Sequence, residues 1–542
     1  MARTNLGFSD VTGTMIRVRY EDAQQHGICP ICLEDCPILC TVGKAALRGR
    51  EVLYPKPEYF GKSVAGSNKI FGLDWADIQI MSDVRREATF PEEFRDPDKA
   101  IFEAVDITSQ LGFKHPIKLR VPVTIAALGS TKVAAKNAEH IYGGAALAGI
   151  LTVIGENVCG MDPNSIVSNG KIQDSPDMKR RVEAFRKWWD GEYGDIAVQT
   201  NVEDQRLGVD IYAITKLEVN VIERKWGQGA KSIGGEVRIF DLDRAIMLRK
   251  RGYIVIPDPL DPAVQEAFKA GIIKSFERHS RLGMPTIEGF VEDVEKLREQ
   301  GAKVVGLKMG QYRPAVIVWS LKAASEAKLD YVTFDGQPGG TGMSPWPMML
   351  EQGVPTTYME AIVLNAAYRL WKKGKHVPHI QIAGGFICPT QIFKAIALSK
   401  WPGGPGPFVK AIAMAKPILT AVFKAKLFAE WAERGELARR NPAFAKVYGT
   451  KVEEIFEVYH ELKHKYGDKV KEIPYGAIGV YSYVVEYIGI GLKQLMAGSR
   501  RFKLDLLDRS LLAALTPLAK EVFGLPMIHE LDKDVIDAIL EG

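Results

Sequence analysis

The sequence has no long apolar run free of charge. Its most membrane-like stretch, Tyr475 to Leu492, holds Glu486 and several glycines and tyrosines. A span needs about 20 predominantly apolar residues, so this stretch reads as a buried or interface helix. An excess of one charge is missing too: 71 Lys and Arg against 66 Asp and Glu leave a formal charge of +5. Nucleic-acid proteins concentrate cations on one face, and nothing here predicts such a partner. No apolar core follows Met1-Ala2-Arg3-Thr4-Asn5, so no secretory signal is expected and a cytoplasmic setting is. Cysteine is scarce, six in all, and four of them fall between Cys29 and Cys40, which excludes a dispersed disulfide framework. No G-x-G-x-x-G follows a predicted strand and there is no P-loop, so no pyridine-nucleotide or nucleoside-triphosphate domain is visible. Internal repeats and low-complexity linkers are absent as well.

What is present is an ordinary globular composition, 46% hydrophobic and 25% charged, over 542 residues. Three regions are predicted: 1–100 with the cysteines, 101–416 with alternating strands and helices, and a helical extension over 417–542. The densest chemistry by spacing is Cys29-Pro30-Ile31-Cys32-Leu33-Glu34-Asp35-Cys36-Pro37-Ile38-Leu39-Cys40. Four thiolates in twelve residues, C-x2-C-x3-C-x3-C, can converge on one small object. Iron–sulfur clusters take four cysteines at short spacings, often with proline after one, and four ligands favour [4Fe–4S]. A structural zinc usually separates two knuckles by a longer loop, and disulfides between adjacent turns would be strained. Both stay as alternatives.

From about 100 to 415 eight strand candidates can be counted: Val121–Ala127, Leu151–Gly155, Ile196–Thr200, Val219–Glu223, Val304–Met309, Tyr331–Asp335, His379–Ala383 and Val409–Met414. Helical segments such as 290–300 and 312–328 separate them. Eight such units predict a parallel (β/α)8 barrel with its site at the strand C-termini, the alternative being a doubly wound open sheet. The gap between Glu223 and Val304 predicts inserted structure. After Pro417 come helices over 418–434 and 451–466 and a last amphipathic stretch over 504–523, packed on the barrel or at an oligomer interface.

The strand ends carry the candidate site. Lys308 closes the fifth, and Asp335 ends the sixth ahead of Gly336-Gln337-Pro338-Gly339-Gly340-Thr341-Gly342-Met343-Ser344-Pro345. Glycines let backbone N–H groups approach a phosphate and a lysine supplies charge. Gly384-Gly385 follow the seventh strand before a helix predicted over 386–399. That is where barrels commonly bind phosphate, although a tight turn reads the same way locally. Glu156 ends the second strand, Gln199 the third, and Gln228-Gly229-Ala230-Lys231 follow the fourth. His460-Glu461-Leu462-Lys463-His464 matches H-E-x-x-H, but Lys463 and Lys465 crowd it and no third zinc ligand is evident, so it reads as accidental.

These loops resemble the FMN-binding synthase domain of glutamate synthase large subunits, over roughly Arg120 to Lys416. D-G-x-x-G-G-T-G-x-x-P is matched at Asp335–Pro345, and the family's Q-G-A-K-x-G-x-G-G loop is similar to Gln228–Gly235. Gly155-Glu156 match the Gly-Glu of its T-G-E-G-G segment, Val304–Gly310 resembles the strand with the flavin-contacting lysine, and Ile382–Gly385 the flavin-phosphate turn. The resemblance implies FMN held by Ala126, Ala127, Gln199, Gln228, Lys308, Gly339, Gly340, Gly384 and Gly385. It implies catalytic roles for Glu156, Lys308 and Lys231, and an iron–sulfur cluster on Cys29, Cys32, Cys36 and Cys40. The implied enzyme is an oxidoreductase acting on CH–NH2 donors that reduces 2-iminoglutarate, from 2-oxoglutarate and ammonia, to glutamate. A ferredoxin or a reductase subunit would supply the electrons.

The departures qualify that picture. The family's cysteines just after the barrel are missing from Ala411–Phe428, so the N-terminal cysteines stand in for them. Ala2 replaces a nucleophilic cysteine and no glutaminase domain is seen, which implies a separate amidotransferase subunit or free ammonia. T-G-E-G-G reads Ile154-Gly155-Glu156-Asn157-Val158 here. A flavin barrel acting on a different substrate, or an electron-transfer subunit of a larger complex, are the other readings.

Overall fold

The computed structural model describes residues 34–37, 39–49, 72–84, 96–227, 237–273, 275–337, 339 and 352–541. Eight parallel strands close into a barrel: β1 (Val123–Leu128), β2 (Thr152–Ile154), β3 (Ile196–Thr200), β4 (Val221–Lys225), β5 (Val304–Met309), β6 (Tyr331–Asp335), β7 (His379–Ala383) and β8 (Val409–Met414). Each pairs with its sequence neighbours, for example Gln199 with Glu223 and Lys308 with Thr333, and Ile412 against Val123 closes the ring. The strands are apolar on both faces because helices cover the outside and side chains fill the inside. The open-sheet alternative is thereby excluded. The helices start where local chemistry dictates. Thr286 accepts from the Gly289 amide at 3.1 Å ahead of Ile287–Glu299, and prolines open Pro314–Glu326 and Pro389–Leu398.

Most elements agree with expectation to within a few residues, and four differences bear on the fold. The fourth strand runs two residues past Glu223, to Lys225. The predicted helix over 451–466 is two, Val452–Ile455 and Tyr459–Tyr466, because Phe456 is extended (φ −96°, ψ 112°). The stretch over 504–523 is not one amphipathic helix. Its Leu512–Ala514 forms an antiparallel ladder with Ile78–Ile80, and only Pro517–Phe523, capped by Thr516, is α-helical. A further helix, Lys533–Glu541, was not anticipated.

Three additions frame the barrel. An antiparallel hairpin, Ser109–Leu111 with Ile117–Leu119, plugs the N-terminal end, and Leu111, Ile117 and Leu119 pack on Leu151, Val153 and Val304 inside the barrel. Between β4 and β5 the insertion forms a three-stranded antiparallel sheet, Val237–Ile239, Phe276–His279 and Ile254–Ile256, with Phe276–His279 in the middle. After β8, Lys416–Glu433 packs against Thr41–Arg48 and against Tyr475–Tyr481. The latter continues through a widened π segment, Ser482–Gly489, into Ile490–Gly498. This last run is largely buried, as its apolar composition predicts, and among the described residues no helix is long and apolar enough to cross a membrane.

Candidate functional site

The barrel interior changes character from bottom to top. Above the apolar plug lies a polar layer in which Thr124 meets Gln381 (2.5 Å) and Gln199 donates to Glu223 (2.5 Å). Thr333 reaches the other Glu223 oxygen at 3.4 Å. Burial pushes the Glu223 carboxyl up, and nearby Lys308 pulls it back down. At the C-terminal rim the ring divides into two arcs. On β1, β7 and β8 the inward residues are small, with Ala126, Ala383 and Ala413 clustering beside Ala415. On β2 to β6 they are charged or amide-bearing.

In the charged arc, Lys225 Nζ lies 2.9 Å from Glu156, whose other carboxylate oxygen accepts from Asn201 Nδ2 at 3.1 Å. Asn201 also caps the following helix, accepting from the Glu203 and Asp204 amides. Asp204 in turn accepts from the Asn201 and Asn157 amides. Burial raises Asp204 to about 7, and the charge of Glu156 adds to the rise. Lys308 Nζ stands 3.2 Å from Asp335, both side chains at least nine-tenths buried. A buried pair of this kind holds only while both partners are present. Gln199 Oε1 is buried without a hydrogen-bond partner among the described residues, an acceptor left open at the rim of the polar layer.

Two glycines in the expected loops have positions set by neighbours. A Cβ on Gly339 would fall 2.1 Å from Asp335 Oδ1, so this glycine lets the loop fold over the carboxylate that holds Lys308. Gly384 sits at φ +114°, and a Cβ there would meet Thr356 Oγ1 at 2.3 Å and the Gly336 carbonyl at 2.6 Å. The turns after β6 and β7 thus close on the N-terminus of Thr356–Lys372. Gly385 follows with φ +89°.

Of the predicted residues, Glu156, Gln199 and Lys308 lie on the charged arc, Ala126 and Ala127 on the small-residue arc, and Gly339, Gly384 and Gly385 in the turns between. Gln228, Lys231 and Gly340 lie outside the described residues, as do Cys29 and Cys32. Cys36 and Cys40 are described. Cys40 is buried, which raises its thiol while Lys424 opposes the rise, and Lys424 Nζ donates to the Cys36 carbonyl. The helix after Cys40 packs on Lys416–Glu433, where Gly43 leaves room for the Lys424 chain. Among the described residues no group of three or more His, Cys, Asp or Glu is placed to hold a metal. In the H-E-x-x-H stretch, Glu461 accepts from Tyr481 at 2.5 Å.

Sequence reasoning missed Lys225, Glu223 and Asn201 as members of this site, and the pairing of Asp335 with Lys308. Alternation along β4 places Glu223 and Lys225 on one face, and extending that strand by one pleat would have found the lysine.

Residues 275–400 match the family model of the conserved region in glutamate synthase, a stretch that carries Lys308, Asp335 and the two glycine turns. This part of the barrel is glutamate synthase-like. No curated protein matches the chain. Among solved structures, the flavin-binding domain of baker's yeast flavocytochrome b2 aligns at 13% identity, TM-score 0.45, over 81% of this chain and 76% of that one. A soluble mutant of the membrane-associated (S)-mandelate dehydrogenase from Pseudomonas putida aligns at 12% identity and TM-score 0.43, over 81% and 88% of the two chains. An IMP dehydrogenase/GMP reductase-like protein from Corynebacterium glutamicum aligns at 13% and 0.43, over 82% and 96%.

Proposed function

We propose that the barrel is an FMN-dependent oxidoreductase of the glutamate synthase type, reducing 2-iminoglutarate to glutamate. The net reaction is 2-oxoglutarate, ammonia, two electrons and two protons giving glutamate and water. The observation that carries this reading is the Lys308–Asp335 pair, inside the matched stretch and beside the glycine turns (3.2 Å). The residues suit the cofactor: a buried open acceptor on Gln199, a fixed cation on Lys308 and an arc of alanines that leaves room for a planar ring. Bound there, the flavin supplies the hydride chemistry.

The chain's own residues do the rest. Lys308, fixed by Asp335, presents a positive charge that needs no reorganisation when electron density arrives. Lys225 and Asn201 hold both oxygens of Glu156, which fixes the carboxyl for proton exchange at the substrate nitrogen. Ala126, Ala127, Gly384 and Gly385 would line the ring and its phosphate, with Gly339 supporting Asp335. Cys36 and Cys40 would supply two of the four thiolates of an iron–sulfur cluster that passes single electrons from a ferredoxin or reductase subunit. Tyr483 donates at 2.7 Å to the Ile387 carbonyl just after the β7 turn.

A second reading, the same chemistry on a different 2-oxo acid, is favoured by Asn157. It stands where the resembled motif has glycine, in a left-handed conformation (φ 63°), with its side chain engaged by Arg278 at 3.1 Å. The test is anaerobic purification with absorption spectra and flavin analysis, then addition of 2-oxoglutarate and ammonium to dithionite-reduced protein. Stoichiometric FMN reoxidised only when both are present supports the first reading. FMN reoxidised by another oxo acid supports the second, and protein without flavin after reconstitution overturns both.

A further inference from the structure

The C-terminal helix Lys533–Glu541 has no buried residue, yet its apolar side chains fall on one side. Val535, Ile536, Ile539 and Leu540 are 40–79% exposed, while Asp534, Asp537 and Glu541 occupy the opposite side. A helix of nine residues is short of the ~12–15 that is already marginal in water alone, so this one needs a surface to lie on. Elsewhere on the molecule, Pro314–Glu326, Thr356–Lys372 and Pro517–Phe523 enclose a groove of about 570 Å³. Its floor includes Val318, Ile362 and Val522, and its rim carries Lys322, Arg369 and Lys373 with no acidic residue in the lining. Lys322 also pairs with Glu326 at 3.5 Å; Arg369 and Lys373 make no ion pair among the described residues.

We propose that this groove receives the helix Lys533–Glu541 of a second copy of the chain, and that the exchange is reciprocal. Shape and charge agree: the apolar stripe faces the floor, and the long rim cations reach round to the acidic side. The chain's own helix does not fill its own groove: none of its residues is buried or lines it, and the turn ahead of it is pinned to the body. Met527 bridges to Ala514, Ile528 donates to the Ala514 carbonyl at 3.1 Å, and Glu530 is tied to Lys520 at 2.7 Å. Leu531 donates to the Met527 carbonyl at 3.1 Å, which leaves Asp532 alone between the pinned turn and the helix. Because each chain offers one helix and one groove, two copies satisfy each other about a twofold axis, and the contact is made twice.

Sedimentation equilibrium on the full chain, with its cofactors, tests this. The expected result is a dimer whose dissociation constant rises at least about 100-fold in I536D/L540D, the scale of losing an interface anchor. R369E/K373E is expected to weaken it as well, and a chain that combines R369E/K373E with D534K/D537K is expected to recover it. All six positions lie at the surface, so circular dichroism should show unchanged folding. A monomeric wild type at tens of micromolar overturns the proposal, whether or not hydrogen exchange shows the helix protected in its own groove. So does a dimer that survives I536D/L540D.

Discussion

The two ends of the barrel use the same eight strands for opposite purposes. At the N-terminal end, Leu111, Ile117 and Leu119 of the hairpin fill the opening, and the rim is sealed by apolar contact. At the C-terminal end, buried Lys308, Asp335, Glu223 and Gln199 stand on strands that are otherwise apolar. Buried charge costs free energy unless it is paired, and the sealed end compensates for what the polar end costs. The paired charges of the site are thereby gathered at the mouth.

Lys308→Met breaks that contrast hardest. It leaves Asp335 buried and unpaired, a loss of about 3–5 kcal/mol. It should also cut the rate of flavin reoxidation by roughly 100-fold or more, as removing a preorganised charge does. Unfolding curves and single-turnover spectra read the two effects. Leu119→Ala is the matching change at the sealed end. It should cost about 2–5 kcal/mol of stability with no change in flavin per folded molecule, so the two variants separate stability from function. Gly384→Ala is smaller in stability terms, since φ +114° disfavours any side chain by about 1–2 kcal/mol. Its Cβ would also press on Thr356 and Gly336, so a flavin titration should show affinity falling tenfold or more.

The last test is a pH dependence at the sealed end. Burial, helped by Lys410, lowers His379 to about 3, and its Nδ1 accepts from the Gly112 amide of the hairpin at 3.2 Å. The folded state prefers the neutral ring, so this contribution is complete above the ordinary histidine value near 6.5 and is lost as pH falls from there towards 3. Melting temperatures should decline over that window, and His379→Asn, which keeps an acceptor, should flatten the decline.

How far the sequence disclosed this follows from the range of each interaction. The eight strands were legible because burial on both faces writes continuous apolar runs. Glu156, Gln199 and Lys308 were legible because a polar residue at the end of such a run is conspicuous. Lys225 was not, since Arg224 and Lys225 look like the loop beyond a strand until pairing with Val304–Lys308 extends it. The strand at Leu512–Ala514 was hidden because its partner, Ile78–Ile80, is more than 400 residues away and its own composition favours a helix. Arg278 and Asn157 meet only through the insertion, which no local pattern predicts.

That same ladder between Ile78–Ile80 and Leu512–Ala514 sets an order of events when the protein is made. The segment with Cys36 and Cys40 is translated well before the elements that seat it. Ser482 bonds the Ala45 carbonyl at 2.7 Å and Glu457 donates to Leu47 at 3.0 Å, contacts that cannot exist until those later residues have been translated. Pairings this distant in sequence form late. The barrel can close around its own core while Cys40 is still unseated, so its thiol becomes buried only when these later helices pack on it.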